Sequence, residues 1–190
     1  MLRHDGARTV RLGGIEATVR IEGAPSAEAF ALLELRLAIG AFAGAPHIHT
    51  REHGFSYVVS GELAAMVGER TVRLGPGEVL FKPRGIAHTF WNPGPSRALL
   101  LELIAPAWLA SWFFDVAAAF PAEGRGARDP RDVFALGRPY GLVYPGTQEY
   151  FAELLPLLTA PAADRAERVV SLARRHGIGS ARVETPQPAR

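Results

Sequence analysis

The sequence predicts an all-β barrel followed by an α-helical extension, and three observations lead to this fold class. Residues 9–104 consist of short segments that alternate apolar and polar side chains, as β-strands do. Glycine-based turns separate these segments at spacings of about 8–12 residues, which is typical of a sandwich or barrel. After Pro106, apolar residues recur at helical spacing instead. We therefore expect a barrel domain with N-terminal strands over residues 1–106 and a helical extension over residues 107–190.

The strand signals follow one another through the barrel domain. Residues 9–21 form two short alternating segments around a pair of glycines, and residues 30–40 form another. Residues 55–92 hold several short β-rich segments between turns, and residues 97–105 close the series. The predicted turns are Ser60-Gly61-Glu62, Gly68-Glu69-Arg70 and Gly75-Pro76-Gly77.

The sequence of the extension predicts three helices, at 107–120, 148–158 and 163–179. It also predicts a loop at 124–132 and a frayed tail at 184–190. Thr147 is a candidate N-cap for the second helix, and Gly177 ends the third. The first helix carries Trp108, Trp112, Phe113 and other large apolar groups, too many for a free surface helix. We expect it to pack on the barrel, to cover the barrel mouth or to contact a dimer partner.

Composition excludes several classes of protein. The 190 residues contain no cysteine, which rules out disulfides, thiolate metal sites and cysteine nucleophiles. The formal charge is only +2 and the arginines are scattered, so no nucleic-acid partner is expected. The first ten residues lack the apolar core of a signal peptide, and no apolar run reaches membrane-spanning length. A cytoplasmic location, no membrane partner and, given exposed barrel edges, a homodimer are the expectations.

The histidines carry the first sign of chemistry. His47 and His49 stand two residues apart, so a strand would place both on one face. Two neutral imidazoles side by side in a barrel mouth are most often explained by a shared cation. A second segment, "GEVLFKPRGIAHTFWN", brings His88 back on a later strand after the bend at Gly85.

These two segments resemble the two signature motifs of the cupin superfamily. The second motif is matched at every position, namely by Gly77, Pro83, Gly85, His88 and Asn92. The first is matched by His47, His49 and the closing Gly61, but it lacks the starting glycine and the glutamate. The match covers about residues 30–105. One barrel followed by "PAWLASWFFDVA" and a helical tail is similar to the small quercetinase-like cupins.

The resemblance implies a double-stranded β-helix, or jelly-roll, barrel with a divalent metal ion inside. In the family, three histidines and one glutamate hold the ion, and His47, His49 and His88 are the residues that carry over. Iron or nickel is the expected metal, with manganese, cobalt, copper and zinc as alternatives. Certain cupin dioxygenases, which act on thiols or β-diketones, are similar in lacking the glutamate ligand.

The missing glutamate falls on Gly54, whether counted forward from His49 or back from Gly61. Two residues are alternates for this ligand. His53 lies one residue early and would need a β-bulge to face the metal. Glu102 lies in the last barrel strand, where we expect it to face outward. Otherwise the site has three histidines, and replacing Gly54 by Glu is expected to tighten metal binding.

Strand alternation also predicts the pocket around the metal. If Gly54 faces inward, so do Ser56 and Val58, and the small residues at 54 and 56 would widen the pocket. Phe90 shares the inward face with His88, whereas Trp91 faces outward toward the tail or another subunit. We expect Glu52 to lie in solvent and Asn92 to stabilise a turn. Phe55 and Tyr57 are expected to pack outside the pocket or against the helices.

The functional hypothesis is a dioxygenase-type oxidoreductase that acts on a small anionic, enolic or aromatic substrate. Without a carboxylate ligand, the ion keeps its full positive charge and favours an anionic substrate group. The alternatives are a non-catalytic cupin that binds a metal or a small molecule, and a cupin isomerase that uses the metal as a Lewis acid. No catalytic base is assigned.

Overall fold

The structure is a computed structural model, and it describes residues 7–23, 26–119, 129–159 and 164–183. Within these ranges, eleven strands and four α-helices follow one another. The strands are β1 Arg8–Leu12, β2 Ile15–Ile21, β3 Ala31–Leu37, β4 Ile48–His49, β5 His53–Ser60, β6 Leu63–Val67, β7 Arg70–Leu74, β8 Val79–Lys82, β9 His88–Trp91, β10 Ala98–Ala105 and β11 Leu142–Val143. The helices are α1 Trp112–Ala119, α2 Pro130–Gly137, α3 Gln148–Thr159 and α4 Arg165–Arg175.

The strands form an antiparallel jelly-roll barrel, and the predicted fold class is confirmed. One sheet has the order β1-β2-β3-β10-β5-β8, and a second has the order β7-β6-β9. The last barrel strand, β10, lies between β3 and β5. This position makes β10 the link between the N-terminal strands and the strand that carries Gly54.

Alternation along the strands decides what faces the barrel interior. In β3, Ala31, Leu33, Leu35 and Leu37 are buried, and the residues between them are more exposed. In β10, the buried set is Ala98, Leu100, Glu102 and Ile104. Glu102 therefore faces inward, and the expectation that it faces outward is wrong.

The extension packs against the second sheet through its own apolar core. Trp91 of β9 is buried with Tyr150 and Leu154 of α3 and with Val169 and Val170 of α4. The Trp91 indole also donates a hydrogen bond of 3.2 Å to Glu167. The extension further supplies β11, which pairs with β4. The division at residue 106 stays a prediction about domains.

Two helix starts show capping by side chains. Helix α2 begins inside the segment predicted as a loop, because the Asp129 side chain accepts a hydrogen bond from the Arg131 N–H and Pro130 suits the first turn. Ahead of α3, the Tyr150 N–H donates to the Thr147 hydroxyl at 3.2 Å, as the predicted N-cap requires. The tail at 184–190 and most of the loop at 124–132 lie outside the described residues.

Candidate metal centre

Backbone pairing brings His88 beside His47. The His47 N–H donates to the His88 carbonyl at 3.0 Å, and the His88 N–H donates back at 2.9 Å. Residues directly opposite in an antiparallel pair point to the same face, so the two side chains are neighbours. His49 lies two residues further on, in β4, and therefore shares that face.

The three imidazoles gather at one point inside the barrel. Their ring centroids lie 4.7 to 5.1 Å apart. One ring nitrogen from each lies within 4.8 Å of the others. Within the described ranges, no Asp or Glu belongs to this cluster. The spacing lets three nitrogen atoms converge on one cation.

Hydrogen bonds fix which ring nitrogen is available in two of the histidines. The Nδ1 of His47 lies 3.0 Å from the Ala45 carbonyl, and the Nδ1 of His88 lies 2.9 Å from the Ile86 carbonyl. A carbonyl oxygen only accepts, so each Nδ1 carries the proton and each Nε2 keeps its lone pair. The Nδ1 of His49 is buried and has no hydrogen-bond partner among the described residues.

Electrostatics keep the cluster neutral. Burial lowers the pKa of His47 to about 4, although its bond to Ala45 opposes this, and the Lys82 charge adds to it. Burial also lowers the pKa values of His49 and His88 well below the usual range, helped by the neighbouring histidines and Lys82. Neutral imidazole is the form that binds metal, and it suits iron, nickel, copper and zinc. The residues present therefore fit a divalent transition metal.

Gly54 faces inward on β5, but the space beside it is filled. It pairs with Lys82 of β8 on one side and with Ile104 of β10 on the other. A Cβ at position 54 would come within 2.9 Å of the Lys82 Cε and 3.1 Å of the Glu102 Oε1. The side chains of Lys82 and Glu102 thus occupy the space next to the position where the family carries its glutamate.

Lys82, Glu102 and Ser56 form a buried polar cluster. The Lys82 Nζ lies 2.7 and 2.8 Å from the two Glu102 oxygens and 2.7 Å from the Ser56 Oγ. The Ser56 hydroxyl in turn donates to the Glu102 Oε2. The side chains of the ion pair are only 2% and 6% exposed, so both charges depend on these contacts. Glu102 has Lys82 as its partner rather than a place in the histidine cluster.

The other alternates lie elsewhere. The His53 ring stacks on Phe81 and its Nδ1 accepts from the Arg84 N–H at 3.2 Å, which places it outside the cluster. Glu52 is fully buried, contrary to the expectation of a solvent position. Neither of its carboxylate oxygens has a hydrogen-bond partner among the described residues, and burial raises its pKa to about 7. Nothing in its loop position signals this burial.

A cavity of about 680 Å³ opens onto the histidines. Lys82, Glu102 and Phe90 line it beside the cluster, whereas Gly54, Ser56 and Val58 do not. The expected widening at positions 54 and 56 is absent, because Lys82 and Glu102 lie over these residues. The extension completes the wall with aromatic and apolar side chains, which include Trp112, Phe113, Val116, Phe134, Tyr144 and Leu158.

Sequence reasoning missed Lys82, although a signal was present. It is the only lysine in the chain. In the segment "VLFK", strand alternation puts it on the same face as Leu80, and the structure shows both buried. Asn92 has the turn position expected of it, since its amide donates to three backbone carbonyls and its Oδ1 accepts from the Gly94 N–H.

Comparison with known proteins gives the barrel its family. The cupin domain family matches residues 33–104, the segment that holds all three clustered histidines, Lys82 and Glu102. This chain contains a cupin domain. The recognition made from the two motifs is confirmed at the level of the superfamily.

Solved cupin structures share the barrel. A predicted oxalate decarboxylase from Thermotoga maritima has a TM-score of 0.50 and 21% identity, with 56% of this chain and 98% of that chain covered. KdgF from Halomonas sp. has a TM-score of 0.47 and 23% identity, covering 54% and 91%. A sugar phosphate isomerase from Silicibacter pomeroyi has a TM-score of 0.43 and 23% identity, covering 48% and 59%. At 21% identity, the likeness to the Thermotoga maritima protein shows the fold alone. No curated protein matches the chain.

Proposed function

We propose that this cupin is a metal-dependent dioxygenase-type oxidoreductase acting on a small anionic, enolic or aromatic substrate. His47, His49 and His88 would hold a divalent ion, with iron or nickel preferred. The observation that carries the proposal is the cluster of three neutral imidazoles facing a cavity of about 680 Å³. A volume of this size is within the range of small-molecule sites.

The chain's own residues would bind and orient the substrate. Trp112 and Phe113 from α1 and Phe134 from α2 supply flat apolar surface, which suits a planar ring. Tyr144 stacks on Phe134 and lies 5.8 Å from the His47 ring, between centroids. Burial raises the pKa of Tyr144, so its hydroxyl stays protonated and can donate a hydrogen bond. A bound redox-active ion would supply Lewis acidity and access to dioxygen.

Charge supports the preference for an anion. Three neutral ligands leave the full charge of a divalent ion in the cavity, because no described carboxylate joins the cluster. Glu102, the carboxylate in the described cavity lining, is neutralised by Lys82. An enolate, phenolate or carboxylate would balance the remaining charge.

The test has two steps. Metal analysis of the purified protein should give close to one iron or nickel ion per chain, and a His49→Ala variant should lose it. Oxygen uptake by the loaded protein is then measured with flavonols, β-diketones and thiols. Uptake that depends on His49 supports the proposal. Metal binding without uptake for any of these substrates would indicate a binding cupin or an isomerase instead.

The homodimer and the cytoplasmic location remain predictions. Tyr57 of β5 and Val79 and Phe81 of the edge strand β8 are exposed apolar residues, which supports association of two barrels. Light scattering of the purified protein would show a mass of about twice 20.5 kDa for a dimer. In the described part of the chain, no helix is long and apolar enough to cross a membrane.

A further inference from the structure

Burial of the Lys82–Glu102 pair is unfavourable for stability, because both charges lose their contact with water. Taking two charges out of water costs several kcal/mol per ion, and apolar side chains of similar volume are often equally stabilising. On the inward face of β10, the buried apolar residues Leu100 and Ile104 flank Glu102. A buried ion pair that also lines a cavity is a candidate for ligand recognition rather than for stability.

The Lys82 ammonium lies in the wall of the same cavity as His47, His49 and His88. The Lys82 Nζ also lies 4.9 Å from the centre of the Phe90 ring, which lines the same cavity. A cation therefore lies beside an aromatic side chain in the cavity that the histidines also line.

Lys82 can offer one N–H to a ligand while each Glu102 oxygen keeps a hydrogen-bond donor. The Glu102 Oε2 accepts from both Ser56 and Lys82, whereas the Oε1 accepts from Lys82. If Lys82 releases the Oε2, Ser56 still donates to that oxygen. The ammonium then keeps its bond to the Oε1 and has one N–H free for an incoming anion.

Gly54 is the residue that makes room for this arrangement. A side chain at position 54 would meet the Lys82 Cε and the Glu102 Oε1. Where the family has a glutamate that binds the metal, this chain has Gly54, which pairs with Lys82, a hydrogen-bond donor. The absence of a side chain at position 54 and the place of Lys82 therefore depend on each other.

We propose that Lys82 is the anion-binding residue of the cavity and selects small aromatic ligands that carry a carboxylate or enolate group. The ring of such a ligand would pack against Phe90, Trp112 and Phe113, with its anionic group on the Lys82 ammonium. This proposal adds to the proposed function, and it depends on that function only in treating the ligand as a substrate. The anion site itself is present with or without the metal.

The experiment compares benzoate with benzamide, which has nearly the same shape and no charge. Calorimetry is run on metal-free and Co(II)-loaded protein. We expect both forms to bind benzoate about tenfold or more tightly than benzamide, since a hydrogen bond to a charged group is worth about 1.5–3 kcal/mol. In the metal-free protein, Lys82→Met should remove this preference, because no Co(II) ion is then present to attract the carboxylate. Glu102→Gln should tighten benzoate binding about threefold, because the ammonium loses its counter-ion.

A double variant covers the case in which Lys82→Met does not fold. Lys82→Met with Glu102→Leu removes both charges of the pair, and in the metal-free form it should fold and bind benzoate no better than benzamide. Arg73→Met removes an exposed cation and should leave the preference unchanged. In the metal-free protein, equal binding of the two ligands by the wild type, or a preference that survives in the double variant, overturns the proposal. Failure of Co(II) to bind is a separate result, which contradicts the metal centre and leaves the metal-free comparison valid.

Discussion

Two polar clusters share the cavity, and their hydrogen bonding differs. Lys82, Glu102 and Ser56 form hydrogen bonds with one another, and the positive charge of Lys82 is paired with the negative charge of Glu102. The three histidines are all neutral. In His47 and His88 the proton is on Nδ1, so the Nε2 atom of each ring has a free lone pair. The first cluster is complete within the chain. The histidine cluster has Nε2 lone pairs without a hydrogen-bond donor among the described residues, as a site that binds a cation requires.

This difference separates the effects of mutation on stability from those on ligand binding. Removing either Lys82 or Glu102 from the first cluster leaves a buried charge without its partner. Removing one histidine deletes a neutral group from a cavity wall and takes a ligand from the metal. The two clusters should therefore respond in opposite ways to unfolding and metal-binding measurements.

The largest expected effect is on folding, from breaking the ion pair. Lys82→Met should lower the free energy of unfolding by about 3–5 kcal/mol, because Glu102 stays buried without a counter-ion. Urea denaturation of the metal-free protein measures this loss. Adding Glu102→Leu should recover most of it. If the double variant is as unstable as the single one, the pair stabilises the fold through packing and not through charge balance.

His88→Ala should act on metal binding instead. We expect Co(II) affinity to fall about a hundredfold or more, since one of three protein ligands is lost. Unfolding of the metal-free variant should change less than that of Lys82→Met. His53→Ala is the matched control, because His53 stacks on Phe81 outside the cluster. Equal losses in the two histidine variants would show that the cluster does not hold the ion.

The sequence predicts the barrel and the histidine cluster because both depend on short-range patterns. Turn spacing and alternation indicate the strands, and His47 and His49 share a face through alternation alone. His88 is reached through the resemblance to the second cupin motif. The cluster of Lys82 and Glu102 depends on which strands are neighbours, β8 and β10 on either side of β5, and this order is not visible along the chain.

Three further features were not predicted, and each has its own cause. Apart from Glu102, both faces of β10 are apolar, so alternation leaves the direction of Glu102 ambiguous. Glu52 precedes a strand in a loop, and its burial comes from tertiary packing. Strand β11 has two residues, too few for any pattern.

Glu52 gives a smaller effect that depends on pH. Its pKa is raised from 4.5 to about 7 in the folded protein, so the folded state binds this proton more tightly than the unfolded state does. The penalty for burying the charge is absent below pH 4.5, grows between pH 4.5 and 7, and is complete above pH 7. Glu52→Gln should therefore stabilise the protein by about 2 kcal/mol at pH 8 and by little at pH 4.5.

Thermal unfolding of the variant and the wild type at both pH values measures this difference. Glu22→Gln serves as the control, because the Glu22 carboxylate is half-exposed beside Arg8. Its effect should be small at either pH. A Glu52→Gln variant that is equally stabilised at pH 4.5 and pH 8 would show that ionisation of Glu52 does not oppose folding.

The smallest expected effect tests whether position 54 is filled or empty. Gly54→Ala places a methyl group 2.9 Å from the Lys82 Cε, which Glu102 and Ser56 hold in place. Overpacking of this kind costs about 1–3 kcal/mol, offset in part by about 0.4–1 kcal/mol from the stiffer unfolded chain. In a Lys82→Ala background the cost should disappear, and a double-mutant cycle measures that coupling. By the same reasoning, Gly54→Glu should tighten metal binding only when Lys82 is absent. If Gly54→Ala costs nothing in the wild type, the ammonium does not occupy the space of the missing glutamate.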